Sequence, residues 1–502
     1  MNLVSAGEIE PPLVVALDLG SSSVRGFLYD RLGRAVEAVQ PRLTYSMRLT
    51  ADGGVEGDAD ELCRLVERCL DEVLEQARSR TDSIAGVAFS TFWHSLLGVD
   101  ANHVPQTTVY TWADTRSQAA ADALRRRLDA SQVHARTGCV LHASYWPAKL
   151  LWLRDTQPET VGAVSRWMSF GEYLFLRWFG QPACSPSMAS ATGLFDQRED
   201  SWDSELLQVL GLQAEQFSPA RDLDRPYRGL RKDLADRWPA LHKVPWFPPL
   251  GDGGCSNIGS GCLTPHQWSL TLGTSAALRA LWLADWIEVP AGLWRYRVDR
   301  HRFVLGGALS NAGNLFAWLQ RTLRLGDHQL LERQVAAMEP DAHGLTVLPF
   351  WAGERSPSWN LRARGAIVGL TLHTTATEIV RATLEAIAYR IAAVAEQLHQ
   401  TVTHAPEIIA SGGALSGTSP WVQILTDVLG CPVILSGVSE SASRGAALLA
   451  LEALGAIKGP GEVPVPAGKS YLPDARRHQR YREAAERQRV LLARLFDPPP
   501  QS

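Results

Sequence analysis

Asp252 stands in the run PLGDGGCSNIGSG with glycine on both sides. A carboxylate with so little bulk around it is open to a ligand and can take the proton of an acceptor hydroxyl late in a phosphoryl transfer. The plain alternative is an aspartate in an Asp-Gly turn. Two small-residue turns give the chemical reading weight. Gly20-Ser21-Ser22 follows the apolar run Leu13 to Leu17, and Gly273-Thr274-Ser275 follows QWSLTL. Each joins free backbone amides to hydroxyls, the donors that a phosphate needs. Either turn alone is equally an ordinary hairpin; their pairing favours the anion. Asp18 ends the first of these strands, where a carboxylate gains little structurally but can hold a water-coordinated Mg²⁺ beside phosphates.

Weaker candidates surround these. In SGGALSGTSPW, Gly412 and Gly413 form a turn that lets a planar base or its ribose approach the backbone closely, and GGALSNAGN (306–314) is similarly permissive. No GxxxxGK[ST] run occurs in the chain, which argues against a P-loop. His94, between Trp93 and Ser95, can bond substrate hydroxyls or serve as a packed histidine. Trp93, Trp112, Tyr145 and Trp146 can shape a sugar pocket or fill a core.

The elements that must position these groups follow from periodicity. Leu13 to Leu17, Arg25 to Tyr29 and a third strand after the turn at 31–34 read as a β-meander. From Asp58, a good N-cap, Leu62, Leu65, Val66, Cys69, Leu70, Val73 and Leu74 recur at helical spacing, and IAGVAFST reads as a buried strand. The opening recurs in the second half: a strand, the turn at Gly273, a strand leaving it, a strand at 302–305 and a helix near 314–323. The chain therefore reads as two related halves, with the Pro-rich VPWFPPL (244–250) between them. Strands are expected at 345–349 and 407–410, helices at 376–402, 419–429 and 443–454, and a charged tail from Pro473 helical to Leu495, with a frayed PPPQS end. The fold class is α/β.

At 502 residues with 45% hydrophobic and 20% charged, the chain can bury sizeable cores, which excludes general disorder. A formal charge of −4 supplies no basic field for a polyanion, so nucleic acid is not an expected partner. The start MNLVSAGEIEPP has no signal-peptide character and no apolar stretch reaches the length of a membrane span, so a cytoplasmic location without membrane partners is expected. Seven cysteines without a CxxC pair argue against a disulfide framework and a zinc site.

Taken together these segments resemble the FGGY carbohydrate kinases, which share a fold superfamily with actin and hexokinase. The most specific match is GAIVGLTLHTTATEIVRATLEAIAY (365–389), which follows the family's C-terminal signature; DLGSSSVRG, GDGG and SGGA match in the expected order. STFWHSLLGVD (90–100), TWADTRS (111–117), SMASATGLFD (187–196) and AGERSPSWN (352–360) are similar to gluconokinases within the family. The resemblance implies two actin-like, ribonuclease H-like lobes with a cleft between them, ATP and Mg²⁺, and transfer of the γ-phosphoryl group to a small sugar or sugar acid, D-gluconate first.

It also implies roles. Asp252 is the base with Gly253 beside it. Trp93, His94, Ser95, Trp112 and Lys149 form the sugar site. Gly20, Ser21, Ser22, Gly273, Thr274, Ser275, Gly313, Gly412 and Gly413 serve the nucleotide, and Asp18 the metal. His94 is the expected donor to a substrate carboxylate, helped by Lys149 and Arg116. The chain departs from the family in Ser21 and Ser22, where threonine is usual, and in Trp146, an indole beside the expected pocket where a small residue or proline is usual. Residues 1–248 form the expected sugar lobe, 249–472 the ATP lobe and 473–502 a charged helical tail. The alternatives are a pentulose kinase resembling xylulokinases and a non-catalytic sugar or nucleotide sensor; the expected partners are the sugar and ATP, with a homodimer left open.

Overall fold

The computed structural model describes residues 3–5, 7–360, 362–402, 405–415, 419–466 and 468–496. The PPPQS end and Thr418 therefore lie outside the described residues.

In the first lobe Leu13–Leu19 pairs antiparallel with Ser23–Tyr29, which pairs in turn with Ala35–Val36. Ile84–Thr91 runs parallel to Leu13–Leu19 on its other side, and Leu250–Gly251 runs parallel to Ile84–Thr91. All of Leu13–Leu19 is buried, because helices cover both faces of the sheet and a strand so enclosed reads as a continuous apolar run. The helix Ala59–Ala77 covers one face, started by Asp58, whose carboxylate accepts the Glu61 amide at 2.7 Å. The helix Ser441–Ala453, from the far end of the chain, packs against Ile84–Thr91 and Leu13–Leu19.

The second lobe repeats the course. Gln267–Leu272 and Ala276–Leu283 form the hairpin, Arg302–Leu309 adds antiparallel, and Glu407–Ser411 runs parallel to Gln267–Leu272 with Val433–Leu435 beyond it. The long helix of this lobe is Ala376–His399, three residues shorter than its apolar spacing suggests. In both lobes the outer parallel strand leads into a helix: Leu250–Gly251 into Asp252–Gly259, and Val433–Leu435, through a loop, into Ser441–Ala453. These two helices cross at backbone contact. A Cβ on Gly259 would sit 1.8 Å from the Ser441 carbonyl oxygen, and one on Gly445 1.8 Å from that of Cys255.

Leu250–Gly251 thus belongs to the first sheet although it starts on the last residue of the Pro-rich stretch 244–250 and lies beyond the expected lobe boundary at 248. The tail helix Ala475–Phe496 is docked on the second lobe, with Arg381 donating to the Tyr481 hydroxyl at 2.6 Å and Gln488 to the Val347 carbonyl at 2.8 Å. Features that sequence periodicity left unread include the helices between residues 118 and 237 that enlarge the first lobe, the helix His328–Ala337, the outer strand Val433–Leu435 and the short strand Trp294–Arg297 at the edge of the second sheet. Among the described residues no helix is long and apolar enough to cross a membrane.

Candidate active site

A cavity of about 490 Å³ lies between the lobes, and both turns open onto it. In the first, Leu19 pairs with Val24, leaving Gly20 to Ser23 as the turn, closed by the Gly20 amide on the Ser23 carbonyl at 3.0 Å. In the second, Leu272 pairs with Ala276, and the Gly273 amide closes a turn one residue shorter on the Ser275 carbonyl at 2.9 Å. Gly20, Ser21, Thr274 and Ser275 line the cavity; Ser22 and Gly273 belong to the turns without lining it.

The two other glycine stretches are tied to the second turn. Gly412 has φ +110°, and a Cβ there would meet the Leu272 carbonyl oxygen at 2.0 Å, so only glycine fits. The Gly313 amide donates to the Gly273 carbonyl at 2.9 Å and the Asn314 amide to that of Thr274 at 3.2 Å. Gly412 and Gly413 line the main cavity. Gly413 and Gly313 also line a smaller, mostly apolar one of about 180 Å³, walled by Phe316, Leu331, Val335, Val380, Leu384 and Trp421.

Asp252 opens the helix Asp252–Gly259 at the floor of the main cavity, its Oδ1 accepting the Gly253 amide at 2.8 Å. Burial raises its pKa to about 6; the neighbouring Arg279 guanidinium pulls it down and Asp18 pushes it up. The flanking glycines have a packing reason that the sequence did not reveal. A Cβ on Gly251 would fall 1.7 Å from Trp93 Nε1, and one on Gly253 2.4 Å from its ring. The indole lies across both, fixed by Nε1 donating to the Ser187 carbonyl at 3.1 Å.

From Trp93 an aromatic wall runs along the cleft. Tyr296 lies 4.9 Å from the Trp93 ring and 5.5 Å from that of His94, and its hydroxyl is 2.6 Å from that of Tyr145. His94 has φ +67°, a left-handed conformation uncommon for non-glycine residues, and its Nδ1 is held 2.6 Å from the Ala191 carbonyl. A carbonyl can only accept, so Nδ1 carries the proton; burial lowers the ring's pKa to about 3. The imidazole is neutral and its Nε2 is an acceptor. His94 is therefore not the carboxylate donor expected from sequence.

The expected helpers are engaged elsewhere. Lys149 is buried with Nζ donating to the Ala143 carbonyl at 2.5 Å, and burial lowers its pKa to about 7. Arg116 pairs with Asp114 and Glu56, each at 2.6 Å. Ser95 is buried too, its hydroxyl accepting the Phe170 amide at 3.1 Å. Trp146 stacks on Trp202 and donates to the Ser95 carbonyl at 3.0 Å, in the core rather than beside the pocket. Trp112 does line the cleft, as do Tyr145 and residues not singled out from sequence: Arg25, Arg279, Trp294, Tyr296, Arg355, Trp359 and Glu440. The stretch AGERSPSWN pointed to two of these, Arg355 and Trp359; the aromatics of Trp294–Arg297 carried no local signal.

Residues 13–259 match the N-terminal domain of the FGGY family of carbohydrate kinases, and residues 269–454 match its C-terminal domain. The chain belongs to this family. As a family member it is a carbohydrate kinase that uses ATP with Mg²⁺, built on two actin-like, ribonuclease H-like lobes. It is 25% identical to a gluconokinase of Bacillus licheniformis over 455 residues, 88% of each chain. It is 28% identical to a glycerol kinase of Koribacter versatilis over 458 residues, 88% of this chain and 90% of the other. A gluconate kinase structure from Lactobacillus acidophilus superposes with a TM-score of 0.89 at 26% identity, covering 97% of this chain and 99% of that one. A ligand-bound xylulose kinase structure from the same organism gives the same TM-score, identity and coverage. For Mg²⁺ the cleft offers the hard oxygens of Asp18 and Ser21; Asp18 is paired with Arg25 and Thr271 accepts from Arg279, so the ion would be held through its own water shell.

Proposed function

We propose that the chain phosphorylates a sugar acid, D-gluconate first, with Asp252 as the base. The observation that carries this is the Asp252 carboxylate, held at the cavity floor between the two turns with a pKa near 6, so that it is ionised at neutral pH. The acceptor hydroxyl's oxygen bonds to the γ-phosphorus as the bond to the β-phosphate oxygen breaks. Its proton passes to Asp252, and ADP and the sugar phosphate leave.

Ser21 and Thr274 donate to the phosphates from the two lobes, while Gly412 and Gly413 let the nucleotide approach the backbone with its base in the smaller apolar cavity. Asp18 would hold Mg²⁺ through its water shell, and the ion would supply neutralisation of phosphate charge. Trp93 and Trp112 wall the sugar, and His94 Nε2 accepts from one of its hydroxyls. On this reading 1–248 is chiefly the sugar lobe and 249–472 chiefly the ATP lobe, and their closure excludes water from the transfer.

The gluconokinase relatives and the gluconate kinase structure support the acid as substrate. The equal superposition of a xylulose kinase favours a second reading, a neutral ketopentose. ATP consumption with D-gluconate, D-xylulose, L-ribulose and glycerol decides: gluconate should lead by about a hundredfold in kcat/KM, because a site that pairs a carboxylate is left with unpaired donors by a neutral polyol. A higher kcat/KM for D-xylulose would sink the gluconate assignment while leaving a carbohydrate kinase.

A further inference from the structure

We propose that Arg355 is the receptor for the carboxylate of the sugar substrate, making its end of the cleft an anion subsite; this rests on the sugar-acid reading above. Arg355 lines the cavity with Trp112, Tyr145, Tyr296 and Trp359. Its guanidinium carbon stands 4.7 Å from the Trp112 ring centroid, a stacking that leaves the edge of the guanidinium plane available for hydrogen bonds. Nη2 donates to the Leu309 carbonyl at 2.9 Å, while Nε is buried without a partner.

The charge also lacks a counter-ion. Glu354, next in the chain, pairs with Arg390 instead, and no carboxylate forms an ion pair with Arg355 among the described residues. The titratable groups facing it are Tyr145, Tyr296, His94 and His142, whose histidines burial keeps neutral and whose tyrosines it keeps protonated. Burial lowers Arg355 itself to about 10, which leaves it charged at neutral pH. A partly desolvated cation with an unused donor is unfavourable in the empty site and gains when a ligand brings the opposite charge. The planar fork of arginine suits a carboxylate's two oxygens better than any other side chain.

The other cations of the cleft and the expected helpers do not compete. Arg25 lines the cavity but is paired with Asp18 and Glu440. Lys149 and Arg116 are engaged away from the cavity. Arg279 sits by Asp252 with Nε on Asn257 and Nη2 on Thr271, at the phosphoryl end. Asp252 is flanked by glycines that pack on Trp93, Trp93 meets Tyr296, and it is Tyr296 and Tyr145 that face Arg355, so the acid group and the hydroxyl that reaches Asp252 are assigned to different parts of the substrate.

The test compares D-gluconate with D-glucitol, which carries a neutral CH₂OH in place of the carboxylate. Calorimetry on the native enzyme should give gluconate at least about tenfold tighter binding. Arg355→Gln should lower kcat/KM for gluconate by about a hundredfold while changing glucitol affinity less than about threefold, and Arg355→Lys should recover only part of the loss. Melting temperatures check that the variants fold, and the native comparison stands if they do not. Equal losses for acid and neutral ligand overturn the proposal. If gluconate is preferred but Arg355→Gln spares it, the subsite fails and the substrate stands. If another aldonate is preferred and the variant loses it selectively, the subsite stands and gluconate fails. If the native enzyme turns over no sugar acid, both fail.

Discussion

Two strands enter the two small-residue turns of the cleft in the same way and end differently. In the first lobe the last residues before the turn are Asp18 and Leu19, and Arg25 from the returning strand pairs with Asp18 and, across the cleft, with Glu440 at 2.6 Å. In the second lobe Thr271 and Leu272 stand in those places, and Arg279 from the returning strand donates to the Thr271 hydroxyl at 2.6 Å and to Asn257 Oδ1 at 3.1 Å. One arginine is neutralised by two carboxylates; the other rests on neutral acceptors, and its uncancelled charge acts on Asp252. Where the outer strands lead into the crossing helices the lobes agree in charge instead: Asp252 begins one helix and Glu440 directly precedes the other. Related folding units can thus hold like scaffolds while a change of side chain before the turn, Asp18 against Thr271, gives each a different charge balance.

The strongest way to break this comparison is to remove the acid from the first lobe's helix. Asp252→Asn keeps the shape and the helix start but cannot take a proton, so kcat should fall by about a hundredfold or more while calorimetry still detects ATP and sugar binding. Near-normal turnover would take the base role from Asp252. Next comes the place where the lobes are alike, the crossing of the two helices. Gly445→Ala forces a Cβ to within 1.8 Å of the Cys255 carbonyl oxygen, backbone that can yield only by moving the helix. A loss of about 1–3 kcal/mol in unfolding free energy by urea titration is expected, and an unchanged midpoint would mean that the crossing is looser than described.

Arg279→Met sharpens the difference in charge. If Asp252 is the base as proposed, it works when ionised, and activity should fall as pH drops through about 6. Arg279 favours the ionised carboxylate and its loss raises the Asp252 pKa. The acid limb of the kcat/KM profile should therefore move to higher pH, with turnover at neutral pH down by about tenfold. A lower rate with an unmoved acid limb would mean that Arg279 serves packing or the phosphates instead.

What could be read in advance follows from the range of the signals. Asp58 as a helix cap, the hairpins around Gly20 and Gly273 and the buried strand Ile84–Thr91 are set by neighbours within a few residues, and the repeated turn then implied a repeated lobe. Whether a polar side chain reaches the cleft depends on partners far along the chain. Ser95 and Lys149 looked available, yet Phe170 and Ala143 take them inside. His94 looked like a donor until the carbonyl of Ala191 took its proton-bearing nitrogen. Arg355 lay in a segment recognised by likeness, but nothing near it in sequence announces that Glu354 pairs with Arg390 and that, among the described residues, no carboxylate pairs with the Arg355 guanidinium.

The smallest effect is expected at Glu440, and it tests whether similar positions imply similar roles. Its carboxylate is about a quarter exposed, as is Arg25, and such half-solvated ion pairs contribute at most about 1 kcal/mol. Burial already raises the pKa of Glu440, a sign that its charge is only partly compensated. Glu440→Gln keeps a hydrogen-bond acceptor for Arg25, and Arg25 keeps Asp18. The melting temperature should hardly change and KM for ATP should move by no more than about threefold, since what is lost is one strap between lobes that must open and close in each turnover. If Glu440→Gln instead costs as much kcat as Asp252→Asn, the two carboxylates are chemically equivalent partners in the transfer, and the division of labour between the halves is wrong.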